Sequence, residues 1–243
     1  MHAARAFPAQ LRGEAPSYCV KDAGSGSVKA VLFDLDGTFA DTAPDLAAAL
    51  NHARAARQLP PLPLATIRPQ ASHGSRGLLK IGFDIEPDAP DYNALRDILL
   101  KHYEHNICVH THLFDGMAEL IVELEHRNIK WGIITNKPHL YTLPLMQALG
   151  YADRATCLIS GDSYANAKPH PEPMLKACDI IGIAPEHCLY LGDDVRDMQA
   201  ANAAAMRGII ARYGYIRADA VLEAWNAHAI IDHPIELLDL LPL

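Results

Sequence analysis

The apolar run Ala30-Val31-Leu32-Phe33 gives way abruptly to Asp34-Leu35-Asp36-Gly37-Thr38. Four apolar residues are too few for a helix, and their β-branched and aromatic members suit a buried strand. Asp34 and Asp36 stand where that strand ends. At i and i+2 on extended backbone their side chains point the same way. Gly37 permits a sharp turn directly afterwards. The chain therefore brings two acids together at the mouth of a sheet and then bends away. Adjacent carboxylates repel, and a fold tolerates them when a cation lies between them or when they share work in catalysis. The plain alternative is an acidic loop capping a strand end, and the rest of the chain decides between the two.

Half of the 243 residues are hydrophobic and 21% are charged, enough to bury about 70% of the unfolded surface. Lys and Arg number 21 against 29 Asp and Glu, a net charge of −8. That balance argues against a nucleic-acid partner, which asks for a basic face. An acidic chain that handles phosphate has to concentrate positive charge locally. No apolar run approaches the ~18 residues of a membrane span, so no membrane partner is expected. Cys19, Cys108, Cys157, Cys178 and Cys188 are odd in number and lack a Cys-x-x-Cys pair. This fits a reducing, cytoplasmic setting better than a disulfide framework or a zinc site. His110 and His112 read as solvated loop or strand-edge residues rather than zinc ligands.

Residues 1–27 contain Pro8, Pro16 and Gly24-Ser25-Gly26-Ser27 without periodicity. They read as a flexible tail of no catalytic role, with no continuous apolar core for a secretory signal. Asp41-Thr42-Ala43-Pro44 reads as a helix start, with Asp41 or Thr42 as the cap. Helical spacing then predicts helices over 45–57, 65–71, 76–81 and 91–105, with no strand between 43 and about 110. From 113 the pattern alternates. Helices are expected at 117–126, 139–149, 172–181 and 197–206, and strands at 130–134, 156–159, 188–191, 208–211 and 229–231. Alternation of this kind argues for a mostly parallel sheet covered on both faces. The fold class is α/β: a Rossmann-like parallel sheet core with a small all-helical cap domain inserted after the first strand. The core takes 28–43 and 112–243, and the cap 44–111.

Ligands of such sheets bind beyond the carboxyl ends of the strands. Three expected strands end there in polar residues: Asp34, Thr135 and Asp193. Asp-x-Asp-Gly-Thr behind an apolar strand resembles the first motif of the haloacid dehalogenase superfamily, whose members are mostly magnesium-dependent phosphatases. Ile133-Ile134-Thr135-Asn136 resembles its second motif. Lys168-Pro169-His170-Pro171 resembles the third, with two prolines that stiffen the loop carrying the lysine. Gly192-Asp193-Asp194-x-x-Asp197 resembles the fourth, where Asp194 can serve to cap the next helix. The motifs stand in the superfamily's order over residues 29 to about 212, and the insert resembles the helical-cap type.

The resemblance implies the chemistry. Asp34 would attack phosphorus to form an aspartyl phosphate, and Asp36 would act as acid and then base. Thr135, Asn136 and Lys168 would bind the phosphate. Mg²⁺ would be held by the carboxylates of Asp34 and Asp193 and the backbone carbonyl of Asp36, with Asp197 supporting it through water. Metal-free dehalogenation fits poorly, since Asp36 would have no task. A β-phosphoglucomutase-like phosphomutase uses the same motifs and stays open. The same stretches, with Arg212-Tyr213-Gly214-Tyr215, look most like bacterial phosphoglycolate phosphatases. They also look like the relatives that hydrolyse N-acetylmuramic acid 6-phosphate. The expected partner is a small phosphorylated metabolite carrying a carboxylate, and the expected assembly a monomer or dimer. Phe39 replaces a more usual Leu and is expected to affect packing beneath the cap hinge. In Ser72-His73-Gly74-Ser75-Arg76-Gly77 the planar fork of Arg76 is expected to meet the substrate carboxylate. The plainer reading is a solvated arginine at a helix start.

Overall fold

The computed structural model describes residues 27–241. The expected tail therefore lies outside the described residues, except for Ser27. Strand β1 (Ala30–Phe33) leads through a turn into a two-residue strand β2 (Ala40–Asp41). Four helices follow: α1 (Ala43–Ala55), α2 (Leu64–Ile67), α3 (Gly74–Phe83) and α4 (Tyr92–His105). The chain returns through β3 (His112–Leu113) to α5 (Met117–His126), β4 (Lys130–Ile134), α6 (His139–Ala148) and β5 (Leu158–Ile159). It ends with α7 (Glu172–Ile181), β6 (Cys188–Gly192), α8 (Val195–Ala203), β7 (Arg207–Ala211) and β8 (Ala229–Ile231).

Six of the strands form one parallel sheet in the order β5-β4-β1-β6-β7-β8. β1 lies between β4 and β6, with Phe33 opposite Ile133 on one side and Leu191 on the other. Its residues are wholly buried because helices cover both faces. The period of two sorts them. Val31 and Phe33 join Trp131, Ile133 and Leu189 on the face packed by α5 and α6. Ala30 and Leu32 join Ile134 and Tyr190 on the face packed by α7 and α8. Phe39 belongs to the first face. It is fully buried, stacks on Trp131 at 5.7 Å and meets Phe33 and Tyr151 edge-on.

The helical part has its own core of Leu46, Leu50, Leu78, Leu79, Leu95, Leu99 and Tyr103. β2 and β3 pair antiparallel, Ala40 with Leu113 and Asp41 with His112. The chain thus leaves and re-enters the sheet through adjoining strands. The buried carboxylate of Asp45 receives the backbone N–H groups of Val109, His110 and Thr111 at 2.9–3.0 Å, and the Thr111 hydroxyl at 2.7 Å.

Some local expectations are corrected. The helix expected over 65–71 is the single turn α2 followed by a 3-10 turn, Arg68–His73. Pro69 lacks an N–H and crowds the preceding turn, so the α pattern cannot continue through it. The helix expected at 76–81 is longer, spanning Gly74–Phe83. Neither Asp41 nor Thr42 caps α1 with its side chain. Thr42 stands at the cap, but the first helical N–H, of Ala43, is met by the Tyr215 hydroxyl at 2.8 Å. The pairing of β2 with β3 was not expected, since two residues are too short to show an alternating pattern.

Candidate active site

Because β4, β1 and β6 are parallel neighbours in register, their carboxyl ends share one rim. Asp34, Thr135 and Asp193 follow those ends, and all three are buried. Lys168 arrives from the loop before α7. Its ammonium lies 2.9 Å from Asp34 Oδ1 and 2.7 Å from Asp197 Oδ1. It also donates to the Tyr190 hydroxyl at 2.7 Å and the Ile134 carbonyl at 3.0 Å. Burial works against this charge, but Asp197 and Asp34 more than offset it and hold the pKa above the ordinary lysine value.

Asp34, Asp193 and Asp197 place ligand oxygens within 4.8 Å of one another. Asp197 is already engaged. Its Oδ1 meets Lys168, and its Oδ2 accepts the Asp194 N–H at 2.9 Å in a reciprocal capping box that starts α8. Asp193 accepts from the Thr38 hydroxyl at 3.0 Å, the Tyr215 N–H at 2.8 Å and the Ser72 hydroxyl at 3.2 Å. Even so, burial and then the charges of Asp34 and Asp197 push its pKa well up. Burial likewise raises Asp34 to about 6, against the pull of Lys168. Asp34 Oδ1 is buried and, despite its proximity to Lys168, has no aligned hydrogen bond. Two buried carboxylates with an unsatisfied oxygen suit a hard divalent cation, which takes oxygen ligands and removes the repulsion. Gly37 has φ +85°, and a Cβ there would stand 2.2 Å from Asp193 Oδ2, so the first turn must be glycine to let Asp193 approach.

Asp36 points elsewhere. Its carboxylate accepts from the Thr42 hydroxyl at 2.6 Å and pairs with Lys137 at 2.9 Å. Lys137 is itself buried, with its ammonium 4.7 Å from the centre of the Tyr103 ring. Burial opposes its charge, yet Asp36 foremost holds its pKa above the ordinary value. Asn136 commits its oxygen and one of its two amide N–H donors to the lysine loop. Its Nδ2 donates to the Lys168 carbonyl at 2.8 Å and its Oδ1 accepts the Lys168 N–H at 2.9 Å, which locks the lysine loop. Thr135 accepts the Lys137 N–H at 3.2 Å and leaves its hydroxyl proton available.

Asp34, Asp36, Thr135, Asn136, Lys137, Lys168 and Asp197 line one cleft of about 230 Å³. The helical part supplies the opposite wall with Leu46, Leu78, Leu99, Leu100, Arg96 and Tyr103. Arg76 is not among the lining residues. Its guanidinium is 69% exposed on α3 and meets Glu86 at 3.1–3.2 Å. Lys137, Thr38, Tyr190 and Tyr215 went unassigned in the sequence. Lys137 was visible two residues after Thr135, but nothing local shows that it folds back onto Asp36, which is 101 positions away.

A family model described as haloacid dehalogenase-like hydrolase matches residues 31–211. Over 210 residues, 86% of this chain and 94% of the relative, it is 41% identical to the N-acetylmuramic acid 6-phosphate phosphatase of Pseudomonas putida. Over 209 residues, again 86% and 94%, it is 42% identical to the phosphoglycolate phosphatase of Xanthomonas campestris pv. campestris. The crystal structure of a predicted phosphoglycolate phosphatase from Haemophilus somnus superposes with a TM-score of 0.79 at 25% identity, covering 89% of this chain and 99% of that one.

Proposed function

We propose that this chain, which belongs to the haloacid dehalogenase-like hydrolases, removes phosphate from a small metabolite that also carries a carboxylate. The enzyme is a phosphoric monoester hydrolase. The observation that carries the reading is the buried set Asp34, Thr135 and Lys168 facing a cleft wide enough for a metabolite, with Asp193 buried beside Asp34 on the same rim of the sheet. Asp34 is the nucleophile: its oxygen bonds to phosphorus as the ester P–O bond breaks, giving an aspartyl phosphate. Asp36 gives a proton to the departing alkoxide and then takes one from the water that cleaves the intermediate. Lys168 and Thr135 hold the phosphate oxygens, the lysine by charge and the threonine by its hydroxyl. Asn136 keeps Lys168 in place. Mg²⁺ would be held by the carboxylates of Asp34 and Asp193 and the Asp36 carbonyl, and when bound supplies charge neutralisation of the transferring group. Asp197 anchors Lys168 beside that locus. The helical part, 44–111, closes the cleft over the substrate and reads what lies beyond the phosphate.

Phosphoglycolate and N-acetylmuramic acid 6-phosphate both fit this class. The deciding experiment is phosphate release with Mg²⁺ from these two, from sugar 6-phosphates and from nucleoside monophosphates. A kcat/KM about tenfold higher for a carboxylate-bearing compound is expected. Equal rates across the panel would exclude the carboxylate reading.

A further inference from the structure

The cations lining the cleft are Lys137, Lys168, Arg196 and Arg96. Lys168 pairs with Asp34 and Asp197, and Lys137 pairs with Asp36. Arg196 grips Asp194 at 2.8 Å and donates to the Ser72 carbonyl at 2.9 Å. His73 also lines the cleft, 3.8 Å from Asp194, and burial lowers its pKa from the ordinary imidazole value. Among the described residues Arg96 makes no hydrogen bond or ion pair. It is exposed to solvent and is the uncommitted positive charge on the wall.

Its place on α4 sets its distance from the chemistry. Arg96, Leu99, Leu100 and Tyr103 line the cleft along one helix. Tyr103 is the end nearest the reacting groups, since its ring carries Lys137, which pairs with Asp36. Seven residues at about 1.5 Å each put Arg96 roughly 10 Å farther along α4. Helical side chains also lean toward the N-terminus, away from Tyr103. Between the two ends the wall is apolar, with Leu100 part-exposed and Leu78 and Leu99 buried behind the surface.

We infer that Arg96 is the carboxylate receptor of this cleft, and that the substrate it selects holds its carboxylate across a ring from the phosphate, with apolar groups against the intervening apolar wall. The inference rests on the phosphatase reading above and deepens it. Phosphoglycolate has one methylene between its ester oxygen and its carboxylate, a span much shorter than the roughly 10 Å that separates Arg96 from Tyr103 along α4. A 6-phosphorylated N-acyl sugar with a lactyl ether on the ring spans the gap, and its methyl groups meet the apolar wall at Leu100.

N-acetylmuramic acid 6-phosphate and N-acetylglucosamine 6-phosphate differ only in that lactyl group, so the pair isolates the carboxylate. Wild type should prefer the first by roughly tenfold in kcat/KM, as an exposed charge-assisted contact allows. In Arg96→Met the preference should fall to near unity through KM, with N-acetylglucosamine 6-phosphate and p-nitrophenyl phosphate within about twofold of wild type. Arg96→Lys should restore part of it. A preference that survives Arg96→Met overturns the inference, and so does an equal loss on all three compounds. A wild type that favours phosphoglycolate, unaffected by Arg96→Met, overturns it too while leaving the carboxylate reading intact. If no compound is turned over, calorimetric binding of both sugar phosphates to Asp34→Asn protein with Mg²⁺ still decides it. Tighter binding of the lactyl compound, lost with Arg96→Met, supports the subsite, and equal binding refutes it.

Discussion

At the scale of single residues, the two acids of the opening motif separate into different electrostatic settings. Asp34 lies beside Lys168 in a crowd of carboxylates, whereas Asp36 is paired with Lys137 and accepts from Thr42. Asp34→Asn should abolish turnover in a folded protein, because the amide cannot form the acyl phosphate. Residual phosphate release near the wild-type rate would remove Asp34 as nucleophile. Lys137 is a positioning residue for Asp36. Lys137→Met should lower kcat by roughly 10- to 100-fold with little change in KM, since general acid–base help is worth ~10²–10⁴ and depends on placement. Lys137→Arg should recover part of the loss. An unchanged kcat would leave the Lys137 pair a purely structural contact. Arg76 shows the limit of residue-level reading. A guanidinium near two glycines is suited to a ligand, but the turn of α3 on which it stands directs it to Glu86.

At the scale of elements, the junction between sheet and helices depends on side chains that reach across it. The Tyr215 hydroxyl, which meets the first N–H of α1, also donates to Asp41 at 2.8 Å. Arg68 donates to the same carboxylate at 2.8 Å. On the return path Asp45 of α1 gathers the backbone of 109–111 just before β3. Asp45→Ala removes the acceptor of the buried Thr111 donors and of the part-buried N–H groups of Val109 and His110, and should destabilise the protein by about 1–3 kcal/mol, read as a lower urea midpoint at unchanged m. Asp45→Asn, which keeps one acceptor, should lose less. Equal midpoints for wild type and Asp45→Ala would mean that water or neighbouring carbonyls take the place of the carboxylate.

At the scale of the molecule, the carboxylate cluster ties stability to pH and to metal. Asp34 is raised from 3.8 to about 6. A raised carboxylate contributes stability that is fully present below 3.8 and is lost as pH climbs through about 6. That rise corresponds to about 3 kcal/mol. In metal-free buffer Asp34→Asn should therefore melt roughly 5–10 °C above wild type at pH 7.5, and the gap should fall to about half at pH 5 and close only below 3.8. Mg²⁺ should raise the wild-type Tm more at pH 7.5 than at pH 5, because protonated ligands bind it poorly. EDTA should abolish activity. Full turnover in EDTA, or a Tm indifferent to Mg²⁺ at both pH values, would exclude the metal from this cluster.

Short-range order is legible in the sequence. Apolar runs such as Ala30–Phe33 and Lys130–Ile134 are strands because they alternate with amphipathic helices, and a chain built that way has few ways to bury both faces of its sheet. The acids, the threonine and the lysine that close those runs were legible too, since strand ends of a parallel sheet share a rim whatever their separation in sequence. Contacts set by the approach of one layer to another were not legible. Lys137 on Asp36, Tyr215 on the start of α1, Asn136 on the Lys168 loop and Arg96 across the cleft each depend on where a second element stops, and local pattern carries no term for that distance. The sequence by itself thus determined the fold class and the candidate reacting groups, through periodicity and chemistry. Tertiary structure alone decided which partner holds each group and which arginines line the cleft, because only close packing of separate elements settles where a long side chain can reach.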